Sequence, residues 1–375
     1  MRILHIINHI KKIGNGIVNV AVDLACLQAK NGHEVAIASS GGEYIELVTN
    51  YGIKHFNLDQ SRTPLTIIKA TLSYEKIIEK FQPDIVHTHM MTGVLLAKFF
   101  KLKTSYSYSL VSTVHNEFQR NSVLMGLADR VIAVSNAVAN SMIKRGIPPE
   151  KLRVVANGIL SSPRHQNIAE YQPLKLHHPA ITTVAGMYKR KGIIELIEAF
   201  EKIAHQFPQA HLYLVGDGPD KPTFENIAKH TNCADRIHFE GFQPEPQRYM
   251  LETDIFVLAS HCESFGLVLT EAREVGCAIV ASNVDGIPET LDNSQAGLLV
   301  PPKNSYVLAK TLTQLLSNPE YLTEWKHRAQ QNLERFNINR VHQETLDIYY
   351  ELTRKYQMFN HVKPQKNIQV VNQNK

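Results

Sequence analysis

The sequence predicts an α/β protein built from two doubly wound domains. The chain has 375 residues, 43% of them are hydrophobic, and short apolar runs alternate with amphipathic segments of helical period. This length and composition suffice for two domains that each bury a core. Runs that are apolar along both faces are typical of parallel strands covered by helices on each side of the sheet.

The predicted strands form two groups along the chain. The first group comprises Arg2–Asn8, Glu34–Ser39, Asp84–His87, Leu110–His115 and Arg130–Val134. The second group comprises Ala180–Ala185, Ala210–Val215, Arg236–Phe239, Asp254–Leu258 and Ala278–Ala281. Because helical segments alternate with these runs, each group predicts one Rossmann-like sheet.

A segment without periodicity separates the two groups. Residues Ile159–Pro179 collect proline, serine and histidine, as connections between domains commonly do. We therefore expect an N-terminal domain at 1–160, a linker at 161–179 and a C-terminal domain at 180–338.

The last part of the chain is predicted to be helical. Beyond Asn304 the pattern has a helical period, and Pro319 separates two helices. A third helix at 339–357 is expected to complete the N-terminal domain. The polar stretch 361–375 lacks a pattern and is predicted to be a frayed tail.

Charge and cysteine content restrict the class of protein. The net charge is +5, from 40 basic and 35 acidic residues, which is far from the dense basic surface of a nucleic-acid binder. Neither a signal-peptide core nor a membrane-spanning apolar run is visible, so a soluble, cytoplasmic protein is expected. Scattered cysteines favour reduced thiols: Cys26, Cys233, Cys262 and Cys277.

The most specific signal is the segment Ser260–Ala272, which follows the predicted strand Asp254–Leu258 and opens a helix near Gly266. Ligands of open α/β sheets bind beyond the carboxyl ends of strands, and a helix N-terminus favours a phosphate there. Glu263 and Glu271 flank this anion site, where they would accept hydrogen bonds from sugar and ribose hydroxyls. The alternative is that both are ordinary surface glutamates.

The order of these and other short motifs resembles the retaining family 4 glycosyltransferases. Each motif alone is weak evidence, but together they are specific and cover nearly the whole chain. The resemblance implies the GT-B fold, in which two Rossmann-like domains face each other across a cleft. It also implies that the N-terminal domain at 1–160 lies on the acceptor side and that the C-terminal domain at 180–338 binds the nucleotide sugar. The motifs are Glu263-x7-Glu271 around Phe265–Leu267, Gly286–Glu289, Asn157–Gly158, Gly216–Pro219, Gly241–Phe242, Gly297–Pro301, Asn31–Val35, Pro83–His89 and Thr113–His115.

The resemblance implies roles for residues of the Glu263 segment. Glu271 would hold the ribose hydroxyls of the donor, and Glu263 would contact hydroxyls of the transferred sugar. The backbone amides around Phe265, Gly266 and Leu267 would meet the pyrophosphate.

A basic turn follows the first strand of the second group. Lys191 matches the family lysine that neutralises the leaving phosphate, and Arg190 is its expected partner. Where the family commonly has Gly-Arg, this sequence has Gly186–Met187 and a shorter loop. The sequence therefore leaves open whether Arg190 takes the place of the family arginine, and a solvated basic turn is the alternative.

In the first half, the loop around Gly16 lies between the first strand and a helix predicted at Val18–Lys30. A dinucleotide-binding fingerprint is disfavoured, because Asn19 stands where a third glycine is needed and Ser39–Ser40 where an acidic residue is needed. The resemblance instead implies that Gly16 lets the acceptor and the donor phosphate approach each other.

Three histidines follow or end strands of the first half. The resemblance places His115 beside the reacting sugar, where it would help to position the donor, with a buried structural histidine as the alternative. His87 and His89 are expected to serve local packing.

The sequence favours chemistry without a metal or another cofactor. Neither an Asp-x-Asp motif nor a clustered His/Cys ligand spacing occurs. Lys191, Arg190 and the helix N-terminus near Gly266 would then balance the leaving-group charge. The resulting hypothesis is front-face displacement with retention, and closure of the domains would exclude water.

Substrates and partners follow from the resemblance. The expected donor is a uridine diphosphate sugar, with guanosine diphosphate mannose next, and the expected acceptor is a sugar or a lipid-linked sugar of a surface polysaccharide or glycolipid. A sugar-nucleotide epimerase and a non-catalytic sugar-nucleotide-binding protein are the alternatives. For Lys98–Lys103 a solvated helix end is favoured, with contact to the inner face of the plasma membrane as the alternative.

Overall fold

The computed structural model describes residues 1–61, 63–104 and 106–361. Within these ranges the chain forms two parallel sheets, one of seven strands and one of six, with helices packed against them. The predicted fold class, two doubly wound Rossmann-like domains, is thereby confirmed. The predicted frayed tail lies outside the described residues from 362 onward.

The first sheet has the strand order β3-β2-β1-β4-β5-β6-β7. Its edge strands β3 and β7 have only four and three residues, and β3 was not predicted. The strands are β1 (Arg2–Ile6), β2 (Glu34–Ser39), β3 (Lys54–Asn57), β4 (Ile85–Thr88), β5 (Ser109–Val114), β6 (Arg130–Ala133) and β7 (Leu152–Val154).

The second sheet has the strand order β10-β9-β8-β11-β12-β13. Here the three-residue edge strand β13 was not predicted. The strands are β8 (Ala180–Val184), β9 (His211–Val215), β10 (Ile237–Gly241), β11 (Ile255–Leu258), β12 (Ala278–Ser282) and β13 (Leu298–Val300).

Helices connect the parallel strands, as such connections require. None of the described helices is both long and apolar enough to cross a membrane. The helices are α1 (Gly16–Lys30), α2 (Ile45–Asn50), α3 (Pro64–Phe81), α4 (Met91–Lys103), α5 (Asn136–Lys144), α6 (Ile193–Ala204), α7 (Lys221–Lys229), α8 (Gln247–Met250), α9 (Leu267–Glu274), α10 (Ile287–Thr290), α11 (Ser305–Ser317), α12 (Pro319–Ala329) and α13 (Ile338–His361).

Strand β1 shows why these runs form buried strands. Leu4 and Ile6 point to one face of the sheet, where they join the core under α3 and α4, whereas Ile3 points to the other face and packs with α1 and α13. All three side chains are fully buried. Apolar residues at consecutive positions are therefore required, because helices cover both faces.

The last helix, α13, packs against the first sheet. Tyr349 and Leu352 lie in the same core cluster as Ile3 of β1. The carboxylate of Glu351 accepts hydrogen bonds from Arg130 at 2.7 Å and from Arg153 at 2.9 Å. The end of the chain thus returns from the second domain to cover the first.

Candidate functional site

The candidate site lies where loops at the carboxyl ends of strands from both sheets meet. His115 and Glu117 follow β5, and the segment with Glu263 and Ser264 follows β11. The Ser264 hydroxyl donates to a Glu117 carboxylate oxygen at 2.6 Å. The loops that carry His115 and Glu263 are therefore in direct contact, although they belong to different domains.

Lys191 and Glu263 form an ion pair at this edge. Their side chains are 15% and 17% exposed, so the pair is largely shielded from water but accessible to a small ligand. The turn that carries Lys191 is fastened to the Glu263 segment, because the His261 amide donates to the Arg190 carbonyl at 2.8 Å. The structure thus brings together two residues that are 72 positions apart.

Arg190 lies in the same turn but its side chain is exposed. Its guanidinium carbon lies 5.6 Å from the centre of the Tyr188 ring. The basic residue that pairs with Glu263 is therefore Lys191, and Arg190 stands at the rim.

Gly192 makes the close approach of the basic turn possible. Its φ is +67°, and an added Cβ would lie 1.9 Å from the Ala259 carbonyl oxygen at the end of β11. No L side chain could occupy this position without moving the backbone. Glycine here sets the distance between Lys191 and the Glu263 segment.

Gly266 introduces α9 in the left-handed conformation, with a φ of 84°. No side chain of the described residues caps this helix. The first amides of an uncapped helix carry unsatisfied N–H groups and the positive end of the helix dipole. The N-terminus of α9 can therefore receive an anionic group, as the sequence predicts.

The side chains of Phe265 and Leu267 are engaged in packing within the protein. Phe265 is 3% exposed and packs edge-on against Phe336, with ring centres 6.1 Å apart. Leu267 reaches the first domain, since a Cβ on Gly16 would lie 3.2 Å from its Cδ1. Only the backbone amides of Phe265 and Leu267 are left for the predicted contact with a pyrophosphate.

Glu271 lies one helical turn into α9 and lines a cavity of about 280 Å³. Its carboxylate accepts a hydrogen bond from Gln247 at 3.0 Å. Burial raises the pKa of Glu271 to about 7. Linker residues form much of the opposite wall: Ser161, Ser162, His165 and Tyr171.

The linker carries a buried cation that the sequence did not reveal. The Arg164 guanidinium donates to both carboxylate oxygens of Asp23 on α1, at 2.7 and 2.9 Å. Both side chains are buried, and the charge of Arg164 opposes the rise in the pKa of Glu271. The segment predicted as an unpatterned linker is therefore fixed and contributes to the electrostatics of the cavity.

His115 is half-buried and hydrogen-bonded to a buried histidine. Its Nε2 lies 3.1 Å from Nδ1 of His89. Burial lowers the pKa of His115 to about 3, so its ring is neutral near pH 7. His87 and His89 are buried in the first domain, where their packing role was expected.

His5, His87 and His89 have ring nitrogens within 4.8 Å of one another, a spacing that suits a metal ion. Protein groups already satisfy these nitrogens. His5 binds Gln28 and His89, His87 binds Tyr349 and Thr113, and His89 also binds His115. Hydrogen bonding therefore accounts for the cluster, and a metal would have to break several of these contacts.

Comparisons with known proteins agree with this architecture. Residues 166–332 match the family model for glycosyl transferases group 1, and residues 14–160 match that for glycosyltransferase family 4. The N-acetyl-alpha-D-glucosaminyl L-malate synthase of Bacillus anthracis is 25% identical over 370 residues, covering 91% of this chain and 94% of that protein.

Two further proteins are similar over almost their full lengths. The O-antigen biosynthesis glycosyltransferase WclY of Escherichia coli is 24% identical over 377 residues, covering 94% of this chain and 99% of that protein. The structure of Anabaena HepE in complex with UDP-glucose superposes with a TM-score of 0.78 at 19% identity, covering 94% of this chain and 100% of that chain. The last likeness shows the shared GT-B fold.

The two family models together span both domains, and the predicted motifs fall within them in order. Lys191 and Glu263 form an ion pair, and Glu271 lines the cavity, within the range that the first model matches. This chain is therefore a member of the family 4 glycosyltransferases.

Proposed function

We propose that this glycosyltransferase moves a hexosyl group from a nucleotide diphosphate sugar to an acceptor hydroxyl with retention of configuration. The observation that carries the proposal is the convergence of three features at one sheet edge. These are the Lys191–Glu263 pair, the uncapped N-terminus of α9 and the cavity that Glu271 lines. Together they supply a cation, free backbone amides and carboxylates that can accept hydrogen bonds from hydroxyl groups.

The donor fits this arrangement in one orientation. Its diphosphate would lie between Lys191 and the first amides of α9, because both stabilise negative charge. Glu263 would accept hydrogen bonds from the transferred sugar, and Glu271 from the ribose. Binding would then replace the direct Lys191–Glu263 contact with a bridge through the donor.

The proposed reaction needs no enzyme nucleophile and no metal. The bond between the anomeric carbon and the phosphate oxygen breaks, the acceptor oxygen attacks from the same face, and the acceptor proton passes to the departing phosphate. His115 does not take that proton near pH 7, because its pKa is lowered to about 3. A fixed donor such as Lys191 typically stabilises a developing anion by about 3–4 kcal/mol.

Contacts between the domains would limit hydrolysis of the donor. The Glu289 carboxylate of the second domain accepts from the amides of Asn136 and Ala137 at the start of α5, at 2.9 and 2.8 Å. The Ser135 hydroxyl donates to the Ser264 carbonyl at 2.8 Å. These bonds hold the domains together beside the reacting groups, where exclusion of water favours transfer.

We further propose a uridine diphosphate sugar as the donor and a surface polysaccharide or glycolipid as the product. Support for the donor comes from HepE, whose structure contains UDP-glucose. Support for the product comes from WclY, which acts in O-antigen biosynthesis. The acceptor would be a sugar or a lipid-linked sugar.

Donor binding tests the proposal. Binding of a panel of nucleotide sugars is measured by calorimetry with EDTA present, for the wild type, Glu271→Ala and Glu320→Ala. Glu320 is an exposed glutamate on α12 and serves as the control. We expect one donor to bind the wild type and Glu320→Ala, with binding lost in Glu271→Ala.

Three results would contradict the proposal: no donor binds, binding requires a divalent ion, or the product has the inverted anomeric configuration by NMR. Isomerisation of the donor in the absence of an acceptor would instead indicate an epimerase.

A lipid-linked acceptor would require contact with a membrane, and we propose that α4 provides it. Leu95, Phe99 and Leu102 follow one face of the helix and are 41%, 47% and 77% exposed. Lys98 and Lys103 lie beside them and would attract anionic lipid.

Vesicle co-sedimentation tests this contact. The double variant Phe99→Ser/Leu102→Ser should lose binding to vesicles that contain anionic lipid. Tyr306→Ser removes an aromatic residue that is 71% exposed on α11 of the second domain, and it should bind as the wild type does. Equal binding of all three proteins would rule out α4 as the contact.

A further inference from the structure

A continuous line of hydrogen bonds runs from α13 through the core of the first domain to His115. Gln28 on α1 is the link to α13, because its amide nitrogen lies 3.5 Å from the Tyr349 hydroxyl. Its amide oxygen lies 2.7 Å from Nε2 of His5. Nδ1 of His5 lies 3.0 Å from Nε2 of His89, and Nδ1 of His89 lies 3.1 Å from Nε2 of His115.

The imidazoles in this line are neutral near pH 7. Burial lowers the pKa of His5 to about 4, that of His115 to about 3, and that of His89 well below its ordinary value. A neutral imidazole has one N–H donor and one bare acceptor nitrogen. Each ring can therefore donate in only one direction along the line.

The oxygen of Gln28 decides that direction. An amide oxygen only accepts, so Nε2 of His5 must carry the hydrogen and Nδ1 of His5 must be bare. His89 then donates from Nε2 and is bare at Nδ1, and His115 in turn donates from Nε2. Nδ1 of His115 is left bare, and it has no hydrogen-bond partner among the described residues.

Tyr349 determines which way the Gln28 amide faces. Its hydroxyl oxygen lies 2.5 Å from Nδ1 of His87, whose Nε2 lies 2.7 Å from the Thr113 hydroxyl. Burial raises the pKa of Tyr349, so the hydroxyl keeps its hydrogen. Its oxygen accepts from the amide nitrogen of Gln28 at 3.5 Å, which holds the amide oxygen towards His5 and leaves the hydroxyl hydrogen available to Nδ1 of His87.

We propose that Gln28, oriented by Tyr349, fixes His115 in the tautomer whose Nδ1 is bare, so that this nitrogen can accept a hydrogen bond from a ligand. Gln28 and Tyr349 are positioning residues, since neither touches a substrate. A bare nitrogen accepts a hydrogen bond from a sugar hydroxyl and repels a phosphate oxygen. The inference rests on the proposed function for the identity of that hydroxyl, but the tautomer is a property of the protein alone.

The test is the ¹⁵N spectrum of the full chain labelled at histidine, because protonated and bare ring nitrogens have well-separated shifts. The His115 signal is assigned by its absence in His115→Asn. We expect a protonated Nε2 and a bare Nδ1 in the wild type. In Gln28→Leu the amide oxygen is missing, and in Tyr349→Phe the amide is free to turn, so both variants should show mixed tautomers at His115.

Leu27→Ala is the matched control. Leu27 is the buried residue before Gln28 on α1 and lies in the same core cluster as Tyr349, so this variant loses packing without breaking the line of hydrogen bonds. It should keep the wild-type tautomer. If Gln28→Leu does not fold, Tyr349→Phe, which retains the ring, decides the question.

Donor kinetics supply a second readout. If only half of the molecules hold His115 in the tautomer with a bare Nδ1, the KM for the donor should be about twofold higher. A protonated Nδ1 in wild-type His115 would overturn the proposal. So would a His115 tautomer that stays unchanged in both Gln28→Leu and Tyr349→Phe. Loss of donor binding with the expected tautomers intact would instead count against the proposed function.

Discussion

The two sides of the candidate site differ in charge. Of the residues predicted to reach the substrates, those of the first domain are neutral: Gly16 at the start of α1, and His115, whose lowered pKa of about 3 leaves its imidazole uncharged. The second domain contributes Lys191, Glu263 and Glu271, of which the first two form an ion pair. The predicted substrate contacts are thus charged in the second domain and neutral in the first, whose carboxylate at this junction, Glu117, accepts a hydrogen bond from Ser264.

This separation suggests a division of labour. A diphosphate requires cations and amides, which the second domain supplies, whereas a sugar hydroxyl needs only a neutral acceptor such as His115. Variants in the second domain should therefore impair binding and departure of the nucleotide. Variants in the first domain should impair transfer while nucleotide affinity persists.

The largest effect is expected for Lys191→Ala. Removing the cation that we propose to lie beside the leaving phosphate should lower kcat by about 100- to 1,000-fold. Lys189→Ala, two residues earlier in the same turn and exposed, should retain activity and serves as the control. Steady-state transfer assays distinguish the two, and equal losses would mean that the turn acts only as diffuse positive charge.

Glu271→Gln should weaken donor binding by about tenfold, because an ionised carboxylate is the stronger acceptor of hydroxyl hydrogens. The folded-state pKa of Glu271 is raised to about 7, so wild-type donor affinity should increase as the pH rises through 7. Titration calorimetry at several pH values should show this increase in the wild type only. The same slope in Glu271→Gln would assign it to another group.

The raised pKa of Glu271 also has a consequence for stability. The folded state retains a proton that an unfolded glutamate loses above its value of 4.5. The free energy of unfolding should therefore decrease as the pH rises from about 4.5 to about 7. Urea denaturation should show a flatter pH dependence for Glu271→Gln, and identical slopes would mean that Glu271 ionises normally.

His115→Ala should lower kcat/KM by about tenfold, the effect expected from losing one hydrogen bond to the sugar. Binding of the free nucleotide should be unchanged, because the proposed site for the base and diphosphate lies on the second domain. His55→Ala, at the edge of the first sheet, is the control histidine variant. If His115→Ala also lost affinity for the nucleotide, the proposed division of roles between the two domains would be wrong.

The smallest effect is expected for Gly16→Ala. The added Cβ would lie 3.2 Å from Cδ1 of Leu267, the flexible end of a side chain that can shift. We expect about a twofold change in kcat/KM. In a Leu267→Ala background, Gly16→Ala should leave kcat/KM unchanged. If kcat/KM still changed about twofold there, Gly16 would act through a contact other than the one with Leu267.

The central strands and the motif order were predictable from sequence, because strands buried on both faces leave continuous apolar runs. Edge strands such as β3, with Lys54 and Asn57, are short and partly polar, so they resemble loops. The approach of Lys191 to Glu263 could be inferred only through the family resemblance. Spacing along the chain does not encode a contact across 72 residues.

Other parts of the site left no sequence pattern. Arg164 sits in a segment without periodicity, and its burial depends on Asp23, which is more than a hundred residues away. Gln247 lies on the four-residue helix α8, which is too short to show a period. Single polar side chains that are satisfied by distant partners have no local signature, so only the three-dimensional structure reveals them.

The bond between Glu289 and the start of α5 makes the two domains dependent on each other. Helix α5 has no acidic residue in its first turn, and a carboxylate from the other domain takes that place. A chimera that joins this N-terminal half to the C-terminal half of a relative would therefore need a hydrogen-bond acceptor at position 289. Exchange of halves between relatives is restricted by the fit of this junction as well as by the choice of substrates.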